Sequence, residues 1–332
     1  MTETNQPSPE FLAVFRAHAD AAGRMPFARF MELALYDPRV GYYRRPHERV
    51  GYGPGTDFFT ASTSGPVFGE LVAAACTTLL GNHSPQDFTF VEIGAETEGG
   101  VLAGVEHPFR SNRVVKLGEP LALEGRCVVF SNELFDAQPF HRYQFRGGAW
   151  RELGVAVEGD RLREIELPGE TAPPQFLPAI APENYLFDAP LAARSLADRI
   201  AAEPWTGVFV ACDYGKSWRE LIESCPCGTA RAYHHHTQSN DLLNQPGEQD
   251  LTCHVCWDWI GQALNERGFS ATVIESQEAF FVRHAAGFIE ATTSAEAAHF
   301  SRKKLSLLQL LHPGHLGQKF QVLHARRDRI DG

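Results

Sequence analysis

Thr89-Phe90-Val91-Glu92-Ile93-Gly94-Ala95-Glu96-Thr97-Glu98-Gly99-Gly100 is the stretch from which the rest of the chain can be ordered. A short apolar run closes on an acid and a glycine, and a turn then leads to Val101-Leu102-Ala103, which predicts a buried strand entering a helix. Loops of this layout hold nucleotide-type cofactors, because glycines let the backbone approach the ligand and the first N–H groups of the helix meet its negative charge. In this chain Glu96 and Glu98 stand in the loop.

Working outward, further strands are expected near residues 113–117, 126–130, 207–211, 271–275 and 320–324, several separated by helical stretches. That alternation predicts an α/β fold, a mostly parallel sheet with helices on both faces. Before it, Ser8-Pro9-Glu10 starts a helix that carries Phe11, Val14 and Phe15 at helical spacing. Pro26 starts a second, with Phe27, Phe30, Met31, Ala34 and Leu35 on one side. Phe68 to Leu80 reads as a helix rich in small residues. Two stretches break the alternation. Residues 141–145, 149–157 and 161–167, separated by Gly147-Gly148 and Gly159-Asp160, predict an antiparallel meander. Lys216 to Thr252 is polar and predicts an excursion over the ligand end of the sheet.

The formal net charge of −11, from 41 acidic and 30 basic residues, argues against general nucleic-acid binding and points to small molecules or proteins as partners. No run of about eighteen apolar residues occurs, so no membrane insertion is expected. Seven cysteines behind a first stretch without an export signal suggest reduced thiols and a cytoplasmic location.

Read together, several segments resemble the MidA-type family of S-adenosylmethionine-dependent methyltransferases, whose mitochondrial members are arginine methyltransferases needed for complex I assembly. They are residues 30–38 with Gly41-Tyr42-Tyr43, Asp57-Phe58-Phe59-Thr60, Phe68-Gly69-Glu70, Val91-Glu92-Ile93-Gly94-Ala95, Ser131-Asn132-Glu133-Leu134-Phe135-Asp136, Asp213-Tyr214-Gly215, residues 228–233, residues 246–255 and Gly317-Gln318-Lys319-Phe320. The resemblance implies a Rossmann-like class I methyltransferase fold of the seven-strand type, with an N-terminal helical cap and loop over residues 1–66. The methyltransferase domain over 67–332 would carry insertions near 139–190 and 216–252, the first an antiparallel β insertion. It implies S-adenosylmethionine as cofactor, a protein arginine on a partner subunit as methyl acceptor, and no metal in the chemistry. Glu92, Gly94, Gly100, Asp57, Thr60 and Asn132 are the cofactor-binding candidates. Glu133 and Asp136 are the catalytic candidates, since a planar cation of high pKa is best held and aimed by fixed carboxylates.

The chain departs from the family where the cofactor should sit. Glu96 and Glu98 take glycine positions, and the alternative is a two-residue insertion that makes Gly100 the last glycine. Lys116 stands where an acid would hold the ribose hydroxyls, and only 37 residues separate Gly94 from Asn132. A carboxylate beside the cofactor's own carboxylate would cost on the order of 4 kcal/mol at an effective dielectric near 20, unless the loop turns it into solvent. An inactive scaffold that binds a protein partner without cofactor is therefore the rival expectation. Cys225, Cys227, Cys253 and Cys256, on two loops, are candidate ligands of a closed zinc site, with the metal left open.

Overall fold

The computed structural model describes residues 6–45, 56, 65–95, 97–169, 174–295, 301–312, 314 and 317–329. Six strands form the central sheet: β1 (Thr89–Ile93), β2 (Ser111–Val115), β3 (Gly125–Asn132), β4 (Trp205–Asp213), β5 (Val273–Ser276) and β6 (Gln321–Arg327). Their order is β5-β6-β4-β3-β1-β2. β2, β1, β3 and β4 run parallel, whereas β6 is antiparallel to β4 and β5 antiparallel to β6. All six expected strands are thus present in one sheet. Among the described residues the sheet has six strands, and the seven-strand expectation is corrected accordingly.

The helices are α1 (Pro9–His18), α2 (Phe27–Tyr36), α3 (Pro66–Leu79), α4 (Leu191–Ala202), α5 (Trp218–Ser224), α6 (Trp257–Asn265), α7 (Gln277–His284), α8 (Ala286–Ala295) and α9 (Arg302–Leu311). Strand alternation sends Phe90, Phe130, Val208, Val210 and Val322 to one face, under Phe68, Leu71, Phe281 and Leu310 of α3, α7 and α9. Val91, Val129, Phe209, Ala211 and Leu323 go to the other, under Ile200 of α4 and Ile260 and Leu264 of α6. Burial of both faces explains why the parallel strands read as nearly continuous apolar runs.

One local expectation fails. Among the described residues no α-helix follows β1: the chain turns through Gly100 N–H to Thr97 O, Ala103 N–H to Gly100 O and Val105 N–H to Leu102 O before reaching β2. Gly100 and Gly104 both have positive φ, +67° and +70°, which a helix cannot accommodate. Helix α3 takes the vacant place. It lies so close to the loop that a side chain at Gly69 would strike the Val101 carbonyl and the Val105 side chain.

The N-terminal segment folds as its sequence implies. Ser8 Oγ accepts from Phe11 N–H at 3.1 Å to start α1. The apolar sides of α1 and α2 then bury Phe11, Phe15, Phe27 and Phe30 against Phe140 and Val155 of the meander. That meander pairs Ala149–Glu158 antiparallel with His141–Arg146, Arg161–Glu166 and Arg24–Pro26, and Leu186–Ala189 extends it. The polar excursion contains α5 and a small sheet of Arg231–His234, Thr237–Ser239 and Asp250–Thr252.

Candidate functional site

Strand order reverses beside β1, since β2 lies on one side of it and β3 on the other, and α/β sheets open a crevice at that point outside the carboxyl ends. A cleft of about 880 Å³ opens there. Its walls are the ends of β1 (Ile93, Gly94, Ala95) and β2 (Val115 to Glu119), Glu133 and Leu134 after β3, and Tyr36 and Tyr43 from the N-terminal segment. Such a volume suits a ligand of nucleoside size.

Among the candidates from the sequence, Gly94 and Glu133 line the cleft directly. Gly94 has φ +75°, and a Cβ on it would come within 2.6 Å of Leu134 Cδ1. Glu92 lies behind the wall, 5% exposed, and its Oε2 accepts from Val101 N–H at 2.5 Å. Gly100 is what makes room for that carboxylate, because a side chain there would collide with Glu92 and Val114. The loop is therefore pinned from inside by an acid instead of by a helix terminus. Asn132 and Asp136 are buried at the end of β3. Asp57, Thr60 and Glu96 lie outside the described residues.

The two departures look different in three dimensions. Glu98 is 99% exposed on its side chain and faces the Lys116 ammonium at 3.7 Å, so its charge is spent in solvent. The expected electrostatic obstacle is thus absent at Glu98. The acid expected at the end of β2 occurs three residues later: Glu119 borders the cleft, and its Oε2 accepts from Lys116 N–H at 2.9 Å.

Beyond β3 the chain gathers carboxylates. Glu133 has a left-handed backbone, φ +50°, unusual for a side chain of its size. Its N–H donates to Cys212 O at 2.9 Å and Asn132 Nδ2 donates to its Oε1 at 3.1 Å. Asp213, at the end of β4, accepts on Oδ2 from Phe135 N–H at 2.8 Å and Asp136 N–H at 3.4 Å, and on Oδ1 from Tyr214 N–H. Burial lifts Asp213 to about 7 despite these bonds. Burial first, and then the charges of Asp213, Glu133 and Asp250, hold Asp136 well above the usual carboxylate range. Its Oδ1 is buried without a hydrogen bond.

Tyrosines border this acidic group. Tyr43 O–H donates to Asp250 Oδ1 at 3.0 Å, and Tyr36 O–H donates to Ala137 O at 2.8 Å. Their rings stack with centroids 5.5 Å apart at 13°. Burial, then the nearby Asp250, pushes both phenols upward, so they stay neutral donors. Tyr36, Tyr43, Asp213 and Asp250 lie in segments that carry the family resemblance, where they had no catalytic or cofactor role assigned, and Glu119 lies in none of them. Asp213 could have been found from its place after an apolar strand, whereas the tyrosine pair depends on tertiary packing alone.

The four cysteines do not converge. Cys227 is exposed, Cys225 half-buried, and Cys253 and Cys256 fall in different apolar clusters. Among the described residues the one group of ligand atoms close enough for a metal is Glu275, His284 and His324.

A parallel sheet flanked by helices, with a nucleoside-sized cleft at its carboxyl edge beside a pinned glycine loop, defines the Rossmann-like class I methyltransferase fold, here with an N-terminal helical cap and an antiparallel β insertion. Residues 112–274 match the family described as "Putative S-adenosyl-L-methionine-dependent methyltransferase". The mouse mitochondrial protein arginine methyltransferase NDUFAF7 is 23% identical over 96% of this chain and 84% of its own length. The Drosophila melanogaster homologue is 23% identical over 93% and 83%. A COG1565 superfamily member from Burkholderia thailandensis, bound to S-adenosyl-homocysteine, superimposes with a TM-score of 0.84 at 26% identity, covering 98% of this chain and 95% of that one. Along nearly its whole length the chain is thus similar to S-adenosylmethionine-dependent methyltransferases of this kind.

Proposed function

We propose that this protein transfers a methyl group from S-adenosylmethionine to an arginine side chain of a protein partner. The observation that carries the reading is the group of four carboxylates, Glu133, Asp136, Asp213 and Asp250, beside a cleft bordered by two stacked tyrosines. Carboxylates and ring faces are the groups that hold a guanidinium in a fixed plane.

The cleft also fits the cofactor. Gly94 and Ala95 present bare backbone, Glu119 offers a carboxylate to ribose hydroxyls, and Glu92, Gly100 and Asn132 support the loops from behind. Asp57 and Thr60 keep their assignment from the family resemblance. Bound there, S-adenosylmethionine supplies an electrophilic methyl on a sulfonium. The chain's own contribution is then positioning, with Glu133 and Asp136 aiming one arginine nitrogen. Methylation of a guanidinium releases one proton, and Asp213, its carboxyl lifted to about 7, can accept it in its ionised form.

A protein partner is supported by the mouse and fly relatives' names and by the acidic balance of the chain, which disfavours nucleic acid. A cytoplasmic setting is supported by seven free cysteines. No helix among the described residues is long and apolar enough to cross a membrane.

Titration calorimetry with S-adenosylmethionine and S-adenosylhomocysteine, followed by label transfer to arginine-containing peptides, tests the proposal. Glu133→Gln should lower transfer and leave S-adenosylhomocysteine binding near the wild-type value. Equal loss of both would make Glu133 a structural residue. Absence of binding at millimolar ligand would replace the enzyme with a partner-binding scaffold.

A further inference from the structure

We propose that Glu275, His284 and His324 form a binding site for a divalent transition metal such as zinc, separate from the methyl-transfer cleft. The three residues come from three elements: the end of edge strand β5, the last turn of α7, and β6. Antiparallel pairing sets Glu275 opposite Val322, so His324 is its diagonal neighbour on the same sheet face. The chain then turns at Ser276, whose side chain caps α7 by accepting from Ala279 N–H, and two helical turns deliver His284 over the same spot.

The ligand atoms converge. His284 Nε2 lies 3.0 Å and His324 Nε2 3.2 Å from the same oxygen, Glu275 Oε2, and the three atoms fall within 4.8 Å of one another. Those separations suit ligands about 2 Å from a common ion. The side chains are 6%, 14% and 12% exposed, so the site is largely dry yet open enough for an ion and a completing water. Phe280 packs on both imidazoles, at 5.0 Å and 5.7 Å between ring centroids, and fixes their planes. Arg283 Nη1 pairs with the other oxygen, Oε1, at 2.5 Å. That contact occupies Oε1 and leaves Oε2 as the single oxygen facing both imidazoles. Two histidines and one carboxylate with a free position form a donor set suited to zinc and to iron(II).

Without metal, the same geometry is a carboxylate accepting from two protonated imidazole nitrogens. The two states differ in whether the Nε2 lone pairs or protons point inward, which gives the test. Full-length protein stripped with EDTA is titrated with zinc chloride against a chromophoric chelator. Wild type should bind one equivalent tightly. His284→Gln and His324→Gln, whose amides can still donate to Glu275, should each lose more than the roughly 10–100-fold typical of outer-shell changes. Cobalt(II) should give a spectrum lacking thiolate charge-transfer bands. In wild type, zinc should protect His284 and His324 from carbethoxylation read by mass spectrometry, a result that needs no variant. Unchanged affinity in both glutamine variants, no tight equivalent in wild type, thiolate bands, or unprotected histidines at saturating zinc would each overturn the assignment.

Discussion

Replacing Asp136 by asparagine keeps the shape of a side chain that is 4% exposed among Asp213, Glu133 and Asp250, and removes its titration. Because Oδ1 makes no hydrogen bond, an amide nitrogen there meets acidic acceptors without displacing a partner. Asp213 sets the scale: a carboxyl lifted from 3.8 to about 7 costs its ionised form about 4 kcal/mol, at about 1.36 kcal/mol per pH unit. At Asp136 burial is the largest cause of the shift and the charge of Asp213 the next, so the repulsion that Asp136→Asn relieves is on the order of 1–2 kcal/mol. The sign follows from proton counting. Both carboxyls hold protons in the folded state that the unfolded chain sheds near its ordinary carboxylate pKa. Stability is therefore present at acid pH and lost as pH rises toward and through about 7. Urea unfolding should show Asp136→Asn more stable than wild type by about 1–2 kcal/mol near pH 8, with most of the gain gone near pH 5. Methyl transfer should fall by about tenfold, the cost of replacing an oxygen that accepts from the substrate nitrogen by an amide donor. A variant less stable than wild type near pH 8, or an equal gain at both pH values, would refute the reasoning.

Two further substitutions probe the loop after β1. Gly100→Ala must place a side chain at φ +67° against the Glu92 carboxylate, costing about 1–2 kcal/mol for the backbone and about 1.5–3 kcal/mol for the weakened bond to Val101. Urea unfolding together with calorimetry of S-adenosylhomocysteine should show both stability and affinity reduced, and an unchanged midpoint would contradict the pinning role of Glu92. Glu98→Gln removes a charge that points into solvent, so affinity for the same ligand should stay within about twofold of wild type; a large rise would return Glu98 to the ligand's side of the loop.

Much of the fold was legible because burial on both sheet faces writes apolar runs into β1, β3 and β4, and because Ser8, Gly147-Gly148 and Gly159-Asp160 mark their caps and turns chemically. The missing helix after β1 was not legible. Val101-Leu102-Ala103 has helical composition, but the positive φ at Gly100 and Gly104 and the presence of α3 decide otherwise, and α3 lies earlier in the chain. At the site, Glu133 and Asp136 could be reached from the end of one strand. The pairing of Tyr43 with Asp250 and the Tyr36–Tyr43 stack could not, since more than two hundred positions separate Tyr43 from Asp250, and only folding brings them to 3.0 Å. Glu119 was missed because its carboxylate reaches the cleft from the turn beyond β2 and not from the strand itself.

The bare Cα of Gly69 against the Val101 carbonyl has a consequence for how the molecule reports on itself. A loop that borrows its support from α3 cannot stiffen alone. Ligand that quiets the backbone between Gly94 and Val105 must also slow hydrogen exchange in a helix whose residues precede the whole sheet, and loosening that helix must in turn weaken the grip on ligand. Protection of the α3 amides is thus a gauge of cleft occupancy, readable from a segment that contributes no side chain to the cleft wall.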